Sequence, residues 1–130
     1  MKEVVIDTNI FIRFFTGDIK EQYEESIELF KRIEGEKVVG YVSILVINEI
    51  IWIMESFYNI KRNIYIPKLL SALSLKKIKI MEVKKDFLLK VIEQLEKSNL
   101  DFTDLYLFHA REHRKIVTFD KKLNKLLSNS

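Results

Sequence analysis

The chain has 130 residues, of which 48% are hydrophobic and 32% charged, enough apolar material for one substantial core and too much for a disordered polyelectrolyte. Three glycines, one proline and no cysteine argue against a linker-rich chain and exclude disulfides and thiolate metal sites, which fits a reducing compartment. Lys and Arg exceed Asp and Glu by 22 to 19, and the net charge of +3 permits a polyanionic partner without requiring one.

The amino-terminal stretch MKEVVIDTNIFIRFF is interrupted by Asp7 and Arg13 and is followed by no small-residue cleavage site. It predicts neither a signal peptide nor a membrane span, and hence a cytoplasmic protein. Within it, residues 2–7 form a β-branched run that predicts a buried strand ending at an aspartate. From Ile19 to Ile33, Tyr23, Ile27, Phe30 and Ile33 recur every three or four residues among Glu and Lys, the pattern of an amphipathic helix closing near Gly35. Val38 to Val42 predicts a second strand. Ser43 is placed to cap a helix, ILVINEIIWIMESF, that is apolar on nearly every side and is expected to be buried or to lie in an interface.

Pro67 suits the first turn of a further helix carrying Leu69, Leu70 and Leu73, and KIKIMEV then alternates as a third strand. Phe87 to Leu95 is helical, Asp101 opens the helix DFTDLYLFHAREHR, IVTFD predicts a fourth strand ending at Asp120, and a last helix runs from Lys121 to Leu127. Alternation of strands and helices predicts an α/β fold: one domain over residues 1–130, with a central parallel sheet of four or five strands covered on both faces as a three-layer α/β/α sandwich.

Ligands of open parallel sheets bind beyond the carboxyl ends of the strands, where Asp7 and Asp120 are expected. If the first and last strands lie side by side, the two carboxylates meet there. Glu49 is, with Asn48, the only polar side chain between Ser43 and Glu55, and an isolated carboxylate in a buried helix calls for a cation or a salt bridge. Asp104 follows Asp101 by one turn at a helix start. Each aspartate also has a purely structural reading: Asp7, Asp101 and Asp120 suit N-caps, and Asp104 falls at the third position of its helix.

Four blocks in this order, VVIDTNIFIRFF, NEIIWIM, DFTDLYLFHA and VTFDKKL, resemble the PIN domain family across essentially the whole chain. The resemblance implies a VapC-type toxin ribonuclease whose acidic quartet is Asp7, Glu49, Asp104 and Asp120. Thr8, Asn9 and Thr118 would orient carboxylates, waters or phosphate from behind. The family usually has a small residue after its third aspartate, whereas Leu105 follows Asp104 here, so Asp101 is the alternative ligand at that place. Clustered oxygen ligands select Mg²⁺ or Mn²⁺, as one or two ions. The substrate implied is single-stranded or loop RNA, cut to a 5′-phosphate and a 3′-hydroxyl, and the partners implied are an antitoxin and a second copy in a homodimer. Arg13, Lys61, Arg62, Arg111, Arg114 and Lys115 are candidate phosphate contacts, the last three in a basic stretch running on to Lys125. The alternative is a PIN-fold module that binds RNA or a partner without cleaving.

Two other patterns compete. His109 to His113 spells H-x-x-E-H, an inverted zinc-peptidase motif, yet no glutamate follows Glu112 to supply the third ligand. A receiver-like pocket places two acids together after its first strand, whereas Asp7 stands between Ile6 and Thr8.

Overall fold

The computed structural model describes residues 1–130. In chain order the elements are β1 (Lys2–Val5), α1 (Thr8–Thr16), α2 (Lys20–Glu34), β2 (Val38–Val42), α3 (Ile44–Ser56), α4 (Arg62–Leu73), β3 (Ile78–Ile80), α5 (Lys85–Leu95), α6 (Phe102–Ala110) and α7 (Lys121–Ser128). The sheet is parallel in the order β1-β2-β3, with Val4 opposite Gly40 and Gly40 opposite Ile78. Because strand side chains alternate, Val4, Ile6, Val38, Val42 and Ile78 share one face, and a Cβ on Gly40 would meet Ile6, Ile78 and Ile33 of α2. This face joins a core of 25 buried residues that runs on through α1, α3, α4, α5 and α6.

Several expectations stand as read. The amphipathic helix spans Lys20–Glu34 and ends at Gly35, the second strand is Val38–Val42, and Ser43 caps α3 by accepting from Leu45 N at 3.1 Å. The fourth strand is different. Residues 116–120 form no strand and pair with none, and Val117 and Phe119 are 89% and 102% exposed. Local β propensity is present there, but a strand also needs a ladder partner, and this segment is tied instead to α7: Asn124 Nδ2 donates to Thr118 O, and Asp120 N to Thr118 Oγ1. The sheet therefore has three strands.

The two-sided covering is not seen either. On the opposite face Val39 is buried, but Val5 and Met81 are 68% and 52% exposed, and Tyr41 is held at the surface by its hydroxyl donating to Glu3 at 2.6 Å. Helix α2 packs on β2 and α4 on β3, while α5 and α6 pack chiefly on α4, α3 and each other. The polar alternation of KIKI and the Glu3 and Tyr41 positions mark a half-exposed sheet; strands covered on both sides read as continuous apolar runs. Pro67 lies inside α4 and not in its first turn, because that helix begins at Arg62.

Candidate active site

Three acids line one cavity in the carboxyl-terminal half. Asp101 precedes α6, Asp104 lies in its first turn and Asp120 precedes α7; together with Lys121 and Lys122 they line a cavity of about 350 Å³. Asp120 is partly used for structure, its Oδ2 accepting from Leu123 N at 2.8 Å, as the capping reading expects. Asp101 holds the N-cap position without a side-chain cap bond, so its carboxylate is uncommitted. Asp104 is half-buried, and its carboxyl is raised above the ordinary carboxylate range by burial first, then by the charges of Asp120 and Asp101. A cation here would relieve that repulsion. Mg²⁺ keeps several waters and binds through one or two carboxylates, the kind of donor that these acids carry. A groove of about 830 Å³ between α1, α2 and α4, lined by Phe14, Tyr23, Phe30 and Pro67, contains none of these acids.

The other two predicted acids are not among the residues that line this cavity. Asp7, at the carboxyl end of β1, is exposed and makes no side-chain cap bond to α1. Behind it Thr8 is 3% exposed, and its buried hydroxyl has no hydrogen-bond partner. Asn9 is exposed beside them. Glu49 is also exposed, in contrast to the buried placement expected of it: Leu45, Asn48, Glu49 and Trp52 form the outward face of α3, so its carboxylate is solvated. No three His, Asp or Glu side chains converge to hold one ion.

Glu82, just beyond β3, is an acid that the sequence reading did not single out. It accepts from Ser43 Oγ at 2.5 Å and from Ile44 N at 2.8 Å, so it anchors the start of the helix that carries Glu49. Burial raises its carboxyl, but these hydrogen bonds outweigh burial and hold it below the ordinary range. The available signal was its position at the carboxyl end of a parallel strand.

The predicted phosphate contacts divide. Arg13 donates to Gln22 Oε1 at 2.8 Å and to Asp18 and the Tyr58 hydroxyl at 3.3 Å. Arg62 is held by Glu55 and by the carbonyls of Leu95 and Ser98. Arg111 lies over the Phe108 ring, 4.0 Å from its centroid, and Arg114 donates to the Ala110 and Arg111 carbonyls, so both close the end of α6. Lys61 and Lys115 are exposed, and Lys121 and Lys122, read from the sequence only as part of a basic run, border the acidic cavity. Helix α6 ends at Ala110, shorter than expected, and Glu112 has a positive φ of 56°, so His109 and His113 do not share a helix face as the zinc motif requires. His109 faces the Gln94 side-chain oxygen instead.

No helix is long and apolar enough to cross a membrane. No curated protein matches the chain. The sequence pattern of the PIN domain, however, matches residues 4–126, nearly the full length. The chain therefore belongs to the PIN domain family, whose members are generally nucleases.

Proposed function

We propose that the protein is an Mg²⁺- or Mn²⁺-dependent endoribonuclease of the VapC type, acting on single-stranded or loop RNA in the cytoplasm as the toxin of a toxin–antitoxin pair. The observation that carries this reading is the acidic cavity of Asp101, Asp104 and Asp120, bordered by lysines, in a PIN-family chain. A divalent cation, when bound, supplies the Lewis acidity that phosphodiester hydrolysis needs near neutral pH. Asp104 and Asp120 hold it, Asp101 shares the contact, and Lys115, Lys121 and Lys122 draw the RNA backbone toward the cavity.

Asp7 and Glu49 complete the quartet in this reading, with Thr8, Asn9 and Thr118 orienting their surroundings. Their joining the cavity asks residues 116–119 to pair with the free edge of β1 when RNA and metal bind, as a fourth strand that carries Asp120 to Asp7. The exposed Val117 and Phe119 and the unpartnered Thr8 hydroxyl support that rearrangement, since each leaves an interaction unmade. An antitoxin and a second copy are the proposed protein partners, with Phe57, 72% exposed, available to such an interface.

The exposure of the Asp7 and Glu49 carboxylates favours a second reading, a PIN-fold module that binds RNA without cleaving it. Comparing Asp7→Asn, Glu49→Gln, Asp104→Asn and Asp120→Asn on one single-stranded RNA separates the two. The enzyme reading predicts that each variant folds and loses at least 100-fold in cleavage, on the order expected when metal ligation or acid–base support is removed. Cleavage that survives all four substitutions would refute it.

A further inference from the structure

Trp52 is the only tryptophan in the chain and is 65% exposed on α3. Its neighbours on the same helix face, three and four residues away, are Asn48, Glu49, Glu55 and Ser56, all polar. No aromatic ring packs against it; Phe57, the other exposed ring near the end of this helix, is already set edge-on to Tyr58 with centroids 4.9 Å apart. The indole is thus a flat surface whose nearest neighbours on the helix are polar, with Leu45, 76% exposed, two turns away on the same face. The cores of protein interfaces are built differently, from contiguous apolar residues with charges depleted, and a protein seated on this ring would also bury Glu49. Glu55 leaves no opening for such a partner to pair with, because Arg62 and Tyr65 already bind it.

A nucleobase fits the surface better, having apolar faces to stack on the ring and polar edges for groups such as the Asn48 amide. We propose that Trp52 is the platform on which a base of single-stranded RNA stacks, one helical turn from Glu49. The proposal rests on the ribonuclease reading and adds to it a physical source of substrate choice. In a duplex both faces of a base are occupied by its neighbours, so only an unpaired, splayed base can use the ring.

Because no other tryptophan contributes, the emission of the intact protein reports on this site directly. Titration with a short unstructured RNA in EDTA is expected to quench that emission, and an equal amount of a blunt RNA duplex is not. Trp52→Ala is expected to raise KM for the unstructured RNA about tenfold with little change in kcat, and Trp52→Phe to recover most of the loss, in line with the energetics of base–aromatic stacking. Unquenched emission while fluorescence anisotropy shows the RNA bound would overturn the platform. An unchanged KM in Trp52→Ala, with cleavage abolished in Asp104→Asn, would overturn it while leaving the ribonuclease reading intact. A smaller sedimenting mass for Trp52→Ala than for the native protein would assign the ring to a protein interface instead. Native protein that neither binds nor cleaves RNA would sink both.

Discussion

Arg62 reaches Glu55 with Nε at 2.8 Å and Nη2 at 3.2 Å, and its Nη1 serves the carbonyls of Leu95 and Ser98, while the Tyr65 hydroxyl donates to the same Glu55. Burial, followed by Glu55, raises Tyr65, so it stays a neutral donor. This charge ties α3 and α4 to the end of α5. Arg62→Ala is expected to lose about 2 kcal/mol in urea unfolding, because it leaves a half-buried carboxylate and two carbonyls short of a donor, while the salt dependence of RNA binding stays unchanged. Lys121→Gln should do the opposite, keeping stability and reducing the salt slope of RNA binding by about one. His109 gives a pH signature. Burial, then Lys90 and Arg111, lower its pKa from 6.5, so the folded state prefers the neutral ring. Its contribution is present above the unfolded value and is lost as pH falls through the lower folded value; His109→Gln should flatten the melting temperature below pH 6.5 relative to the native protein. At this scale the acids were legible as residue types, and their surroundings were not. Glu49 read as buried because Leu45 and Trp52 fill out an apolar helix composition, yet both point outward beside it.

Strand β2 shows what elements demand of single residues. Gly40 sits where a Cβ would lie 2.6 Å from Ile6 Cδ1, 3.0 Å from Ile78 Cδ1 and 3.1 Å from Ile33 Cδ1. Gly40→Ala should therefore destabilise by roughly 1–3 kcal/mol in chemical denaturation, as overpacking does; a neutral result would mean that α2 does not rest on this face. The segment before α7 supplies the converse test. Phe119→Ser should leave the melting temperature of the free protein within about a degree, since the ring is fully exposed, yet lower cleavage if residues 116–119 join β1 in the working state. Element types followed from periodicity, and the caps at Ser43 and Asp120 from residue chemistry. Whether IVTF finds a ladder partner is a non-local matter that its β-branched residues cannot announce.

For the whole molecule, the order of strands and helices in the sequence carried the α/β class and its parallel sheet, and four short blocks carried the family, now matched over residues 4–126. The helix layers were misjudged because covering a sheet face depends on where distant helices pack, and α5 and α6 find α4 and α3. Asp101, Asp104 and Asp120 line one cavity at the junction of α6 and α7, while Asp7 precedes α1 and Glu49 lies on α3. Metal-dependent RNA hydrolysis is checked by incubating the native protein with a mixed single-stranded RNA in Mg²⁺, in Mn²⁺ and in EDTA. Cleavage to 5′-phosphate products is expected in at least one metal and none in EDTA. Cleavage undiminished by EDTA, or RNA bound but intact under every condition, would contradict it.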